Sequence, residues 1–426
     1  MWLLLCCLVC AGPRVSGRDW DIALMGAVGD GATRNTAVIQ QAIDSAAAQG
    51  GGRVIVPTGV FVSGSLSLKA GVTLYLSAGA VLQGSSQMAD YASHGHFIYA
   101  HEAHGAAIAG MGTIDGNGHH FWDESFATLD RPLHWIQFED CERLVVEDVT
   151  LRNAPSHVLV LDGCRHVRVS GIRIENIPQS PNTDGIDVTD SRDVRISDCY
   201  IATGDDAICL KSDTDTVTHV LVSHCILESD DAAIKLGTGS KVLIAHCDFS
   251  GIQIRRSRYG LAMFMQMGGV YRDCTFRNIR IETGGRHELY FPIYLDIDRR
   301  LPEHELGQIR NMVFSGIDIY STGKILIAGQ PDQPIEHLLL EDIRFYASAC
   351  ADFAKAQKPR GNKKYPHLAT SVDLSSRQDL LSLGYIQGLA LRRVEVYRAD
   401  NACTTASHSL EGVQGLRAFD LTVWPQ

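Results

Sequence analysis

The chain has 426 residues, more than one compact hydrophobic core usually serves, so it reads as several domains or as one elongated repeat. Its 45% hydrophobic and 20% charged content is that of an ordinary water-soluble protein. The formal net charge of −11 argues against nucleic acid as a partner, and it obliges any polyanionic ligand to find a local basic patch.

Residues 1–17 begin with an apolar run, Met1-Trp-Leu-Leu-Leu-Cys-Cys-Leu-Val-Cys10, which is too short to span a bilayer. Small residues follow at Ser16 and Gly17, the pattern of a signal peptide, although no positive charge precedes the run. The expectation is a secreted or periplasmic protein with no membrane attachment in its mature form, the alternative being a buried N-terminal strand. Residues 35–49 are alanine-rich, with Val38, Ile39, Ala42, Ile43 and Ala46 on one helical face, and Gly50-Gly-Gly stops the pattern. His94, His96, His101 and His104 cluster in sequence but lack zinc-site spacing, so they are read as surface or coil residues and no metal is expected.

From residue 144 the chain repeats itself. Short alternating apolar stretches, each broken by a two-residue kink, begin at Leu144, Val167, Val194, Val220 and Val242, which puts them 22 to 27 residues apart. Weaker copies follow at 271–281, 309–319, 335–345, 389–396 and 416–423. Alternation of period two marks strands, and a period of this length marks a solenoid whose coils bury their inner faces only by stacking. The reading is a single all-β domain over 18–426, a right-handed parallel β-helix closed by the 35–49 helix, with an irregular insertion at 350–382. Asn176 and Asn278 sit where tight bends are needed. Twelve cysteines do not make a disulfide framework here. Cys199, Cys225 and Cys247 recur at one position of the repeat and read as small core hydrophobes. Cys350 and Cys403 are candidates for pairing.

Several segments resemble pectin-degrading β-helix enzymes: Gly26-Ala-Val-Gly-Asp-Gly, Gly51-Gly-Arg-Val-Ile-Val-Pro, and Gly112-Thr-Ile-Asp-Gly-Asn-Gly with Phe121-Trp122. Asn182-Thr-Asp-Gly-Ile-Asp and Gly204-Asp-Asp-Ala-Ile are similar to the paired motifs of glycoside hydrolase family 28, the polygalacturonase family. The resemblance spans about residues 22 to 345. It implies an inverting hydrolase of α-glycosidic bonds in pectic polysaccharide, galacturonan or a related rhamnogalacturonan or oligogalacturonide, acting as a monomer without a cofactor. It also implies Asp205 as general acid, with Asp184 and Asp206 holding and deprotonating the water.

The residues themselves point the same way. Aligning the coils on Ile186, Ile208 and Ile234 places Asp184 beside Asp206, about 4.8 Å apart along the stack. Like charges that close are costly, so such a pair suggests a cation or a reaction rather than a structural role. Asp205 should leave in another direction. The competing readings are turn aspartates, as Asp187, Asp190 and Asp193 are taken to be, and a calcium site.

Two family motifs are absent. Where Gly-His-Gly is expected the chain reads Ser229-Asp-Asp-Ala, with Asp230 at the histidine position and Asp231 in the column of Asp205. These aspartates either contact substrate or form a solvated turn. The Arg-Ile-Lys that would clamp a uronate carboxylate is missing too. Arg255, Arg256 and Arg258 precede its place, and Lys211 and Lys235 flank the aspartates. The candidate substrate-binding set is therefore Asn182, Lys211, Asp230, Asp231, Lys235, Arg258 and Tyr294, the last either stacking on a sugar or lying in the core. Two other functions compete: a calcium-dependent polysaccharide lyase and a non-catalytic carbohydrate-binding β-helix.

Overall fold

The computed structural model describes residues 18–348, 353, 372–398 and 406–425. The signal-peptide segment, Cys350 and Cys403 lie outside the described residues.

The repeat folds as a solenoid because each coil supplies strands that pair only with the coils before and after. One sheet of twelve strands takes a single strand from each coil, from Leu66–Ser67 to Ala406–Glu411, in chain order. A second sheet of twenty-four strands collects the rest of the described strands. All strand pairings between successive coils are parallel among the described residues, for example Ile186 with Ile208 and Ile208 with Ile234. Parallel strands joined by crossovers in this way wind right-handed, and the architecture is a right-handed parallel β-helix.

The kink inside each repeat has a definite backbone cause. Asp148, Asp198, His224, Asn278 and Asp342 occupy it in successive or nearby coils with φ between 53° and 63°. Asn and Asp tolerate this left-handed region better than most side chains. Gly171 occupies the same position with φ 66°, and a Cβ there would lie 2.5 Å from Asp148 Oδ1. The other expected bend residue, Asn176, is buried and accepts the Ala154 N–H at 2.8 Å, tying one coil to the previous one.

The inner faces form one continuous core from Trp20 to Val396. Phenylalanines stack along it, with Phe249 and Phe276 rings 4.7 Å apart and Phe276 and Phe314 rings 5.0 Å apart. The seven described cysteines are buried and unpaired, and Cys199, Cys225 and Cys247 serve as core hydrophobes. The helix Thr36–Ala48 covers the N-terminal end through Ile39, Ala42, Ile43 and Ala46. The structure corrects one boundary: Asp379–Gly384 is a coil strand buried along its whole length, so the irregular stretch ends before residue 379.

The histidines also differ from expectation. His96 is buried, and a column of rings runs from His94 and His96 with Tyr99 through His134 to His157. His101 and His104 are exposed. His101 lies near Glu139 and Asp140, with one oxygen or nitrogen of each within 4.8 Å of the others.

Candidate active site

The outer face of the twelve-strand sheet forms the floor of a cleft of about 610 Å³. Turns entering the strands supply Asn182, Asp184, Asp205, Asp206, Asp231 and Arg258. Segments leaving them supply Asp213, Gln266, Met267, Arg300 and His304 on the opposite wall. The Ile186–Ile208 register sets Asp184 and Asp206 side by side. Oxygens of Asp184, Asp205 and Asp206 all come within 4.8 Å of one another.

That concentration of negative charge is balanced from below. Lys235 aligns with Cys209 and Asp187 across three coils, and its Nζ donates to Asp206 Oδ2 at 2.6 Å. Lys211 donates to Asp187 Oδ2 at 2.8 Å and to Asp184 Oδ2 at 3.3 Å. His157 Nδ1 lies 2.6 Å from Asp187 Oδ2 and 3.6 Å from Asp184 Oδ2. A cation could in principle bridge three such carboxylates, but two ammonium groups already hold the positive charge inside this cluster.

The titration pattern follows from these contacts. Burial pulls Lys211 and Lys235 toward neutrality, yet Asp187 and Asp206 respectively more than offset it, and both lysines stay charged far above neutral pH. Burial likewise opposes charge on His157, but Asp184 and Asp187 raise it above the usual imidazole range. Asp187 is driven below ordinary carboxylates because Lys211 and His157 overcome its burial. Asp205, partly open to the cleft, is raised well above the carboxylate range by its surroundings first, then by Asp184, Asp206 and Asp231. Asp206 is raised too, by burial and Asp184, against the opposing pull of Lys235. Asp206 touches an ammonium directly, whereas no lysine hydrogen-bonds Asp205, so the proton shared by the cluster belongs on Asp205.

The predicted residues divide between the cleft and its surroundings. Asn182, Asp184, Asp205, Asp206, Lys211, Asp231, Lys235 and Arg258 line it together. Arg258 reaches Asp231 at 3.4 Å and lies over the Tyr259 ring, while Arg255 and Arg256 point to solvent. Asp230 is buried away from the cleft, holding Arg286 at 2.6 Å and His287 at 3.4 Å from the loop after residue 283. Tyr294 is fully enclosed by Tyr259, Phe264 and Phe291, so its ring is unavailable to a sugar. Asp187 is no turn aspartate, and Asp190 accepts from Asp213 N and Thr214 N of the next coil rather than from its own turn.

Sequence reasoning missed His157, Arg300 and His304, which line the cleft, and Arg131, which stands behind Asn182. None belongs to a local motif. His157 had one available signal: it lies one coil before Asp184, in the strand that pairs directly with Ile186–Thr189.

Comparison with known proteins points to one family. The profile of glycosyl hydrolases family 28 matches residues 48–254, which contain all three clustered aspartates. Polygalacturonase-2 of Solanum lycopersicum is 24% identical over 346 residues, covering 76% of this chain and 74% of that protein. A probable polygalacturonase of Vitis vinifera is 32% identical over 214 residues, covering 45% of this chain and 43% of that protein. Among solved structures, a family 28 exopolygalacturonase of Yersinia enterocolitica superposes with TM-score 0.71 at 19% identity, over 94% of this chain and 78% of that one. The exopolygalacturonase of Thermotoga maritima gives TM-score 0.69 at 20% identity, over 78% of this chain and 88% of that one. At these identities the superpositions speak for the parallel β-helix, and the sequence matches speak for the family. The match of residues 48–254 and the polygalacturonase relatives support membership of glycosyl hydrolases family 28, and the chain is a glycoside hydrolase.

Proposed function

We propose that the chain hydrolyses α-glycosidic bonds of pectic polysaccharide, galacturonan or a related rhamnogalacturonan or oligogalacturonide, with inversion at the anomeric carbon. The observation that carries this reading is the arrangement of one raised, partly exposed aspartate, Asp205, beside a buried pair, Asp184 and Asp206, each of which an ammonium contacts. Asp205 gives its proton to the leaving glycosidic oxygen as the C–O bond breaks. A water held by Asp184 and Asp206 attacks the anomeric carbon from the other side and leaves its proton on that pair. The pair then releases that proton to solvent, and solvent returns one to Asp205.

Inverting enzymes usually separate acid and base by about 6.5–9.5 Å to leave room for the water. Here the three carboxylates are closer, within 4.8 Å at their nearest oxygens. The reading accommodates this because two carboxylates share the water from one side and it need not sit between single opposed groups. The anomer released first distinguishes the possibilities: inversion gives the β-anomer, and retention would give the α-anomer.

Arg258, Lys211 and Lys235 are the cationic groups proposed to meet substrate carboxylates, since guanidinium and ammonium groups suit them. The enzyme is read as a monomer exported from the cell, consistent with an extracellular polymer as substrate. Among the described residues no helix is long and apolar enough to cross a membrane.

The test is reducing-sugar release from a panel of pectic fractions, with the first anomer followed by NMR, for the parent chain and Asp205→Asn. Loss of the proton donor is expected to lower kcat by about 10³-fold or more while substrate binding persists. An active Asp205→Asn enzyme would overturn the assignment of the acid. An unsaturated product with calcium dependence would replace hydrolysis by elimination.

A further inference from the structure

We propose that Arg131 is a positioning residue for this reaction: it fixes the Asn182 amide so that the amide can only donate to Asp205, and it stands as a positive charge behind the Asp184–Asp205 pair. The inference rests on the reading of Asp205 as the proton donor.

Arg131 comes from residues 116–133, the connection between the strands Thr113–Asp115 and His134–Glu139, in the coil before His157. That connection has its own small fold, with Trp122 bridged antiparallel to Thr128 and the Leu129 N–H bonded to Phe121 O at 2.9 Å. It carries Arg131 forward onto the turns that precede the next two strands of the cleft floor. Nη1 donates to Pro155 O at 2.8 Å and to Pro181 O at 2.7 Å, and Nη2 donates to Asn182 Oδ1 at 2.8 Å. Ser156 Oγ donates to Pro132 O at 2.9 Å and fastens the adjoining residue.

A guanidinium has donors and no acceptor. The Asn182 carbonyl oxygen must therefore face Arg131, which leaves its NH₂ facing Asp205, where it donates to Oδ2 at 3.3 Å. The other oxygen, Oδ1, accepts the Asp206 N–H at 3.0 Å. Both oxygens of Asp205 are thus held, one of them only as long as Arg131 keeps the amide from turning over. Asn182 also occupies the left-handed region, with φ 54°, and the bond to Arg131 stabilises that conformation.

The charges facing Asp205 are negative on Asp184, Asp206 and Asp231 and positive on Lys235 and Arg131. Burial of the Arg131 guanidinium is opposed by its attraction to Asp184 and Asp205. Removing that charge makes Asp205 hold its proton more tightly. Losing the fork lets the Asn182 amide, and with it the acid, leave its productive orientation.

The experiment uses the full chain as Arg131→Gln, Arg131→Lys, Asn182→Ala and Asp205→Asn, with initial rates on polygalacturonate from pH 4 to 9 and melting followed by fluorescence. Arg131→Gln is expected to lower kcat by roughly tenfold or more with KM changed by less than about threefold. Its alkaline limb should move upward by about half a pH unit or more. Arg131→Lys is expected to bring that limb back while kcat stays low, because an ammonium cannot reproduce the planar fork. Asn182→Ala leaves the brace to Pro155 and Pro181 intact and should lower kcat; if Arg131→Gln fails to fold, Arg131→Lys carries the test, with a low kcat and the alkaline limb at the parent position supporting the proposal. An unmoved alkaline limb in folded Arg131→Gln, a change confined to KM, or parent-like kcat in Asn182→Ala would each overturn the proposal. If Asp205→Asn is inactive and the other variants behave like the parent chain, only the role of Arg131 is lost. If Asp205→Asn is active, the reading of the acid fails and this inference fails with it.

Discussion

Lys235→Met tests how the stacked aspartates are kept ionised. The ammonium lies 2.6 Å from Asp206 Oδ2, with the two side chains only 14% and 2% exposed. At an effective dielectric of about 20, opposite unit charges about 4 Å apart attract by ~4 kcal/mol. Removing that attraction moves the titration of Asp206 upward by about three pH units. Asp206 already lies above ordinary carboxylates, so without Lys235 it stays protonated through the acidic and neutral range. A base must be ionised to accept a proton, so activity falls on the acid side and recovers as pH rises. At pH 5.5 kcat/KM should drop by about 10²- to 10³-fold, and the acid limb should move to higher pH. Methionine keeps the apolar stem packed near Phe264, whose ring lies 5.6 Å from the ammonium. The cost in folding stays below the ~3–5 kcal/mol of an orphaned buried charge, because Asp206 neutralises itself by taking up a proton. The assay is reducing-sugar release across pH 4–9, with thermal melting as the control for folding. A folded Lys235→Met enzyme with parent kcat/KM and an unmoved acid limb refutes the reasoning.

Two further perturbations probe the scaffold. Asp162 titrates at about 6, raised by burial first and then by Asp190, Glu139, Asp140 and Asp213. A carboxylate raised in the folded state holds its proton more tightly there, so stability declines as pH rises from about 4 through 6 and is level above. Asp162→Asn should therefore add ~1–2 kcal/mol above pH 6.5, after allowance for partial exposure, and little below pH 4; denaturant unfolding at the two pH values checks it, and an equal gain at both contradicts it. Phe276→Ala empties the middle of the Phe249–Phe276–Phe314 stack, fully buried in the core. It should cost ~3–5 kcal/mol by denaturant unfolding, whereas Phe419→Ala, at a 45% exposed position, should cost under about 0.5 kcal/mol.

How far the sequence was legible depended on whether a property repeats. Alternation and a 22–27-residue period are local and recur, so the coils, the capping helix and the Asp184–Asp206 pairing could be read from apolar spacing alone. The stacking cysteines were legible for the same reason. Asp187 was misread because an isolated aspartate after a turn resembles every other turn aspartate. Its buried role is set by His157, 30 residues earlier, and Lys211, 24 residues later, whose convergence on it only the register reveals. Tyr294 was placed by family position alone, and the aromatic rings that enclose it are Phe291, three residues earlier on its own strand, and Tyr259 and Phe264 from the strand of the preceding coil. Arg131 lay beyond any pattern, since the connection that delivers it occurs once and reaches Asn182 across 51 residues.

The missing family motifs acquire a physical meaning once the cleft charges are counted together. With Asp205 protonated, Asp184, Asp187, Asp206, Asp213 and Asp231 offer up to five negative charges, and Lys211, Lys235, Arg258 and Arg300 offer four positive ones. His157, raised by Asp184 and Asp187, adds positive charge as pH falls. A chain of net charge −11 thus presents a cleft that is close to neutral at neutral pH and turns positive under mildly acidic conditions. That is the local exception to the global field that a polyuronate requires. The family reaches it with an arginine and a lysine beyond the aspartates; here Lys211 and Lys235 lie within the aspartate cluster itself. On the proposed function, the same two ammonium groups have both tasks, ionising the water-binding pair and admitting an anionic polymer. Adding salt should accordingly weaken KM more than kcat in the parent enzyme, because long-range attraction is screened while the sealed Lys235–Asp206 contact is not. A salt series on polygalacturonate in which kcat falls and KM is constant would separate the two tasks and contradict this assignment.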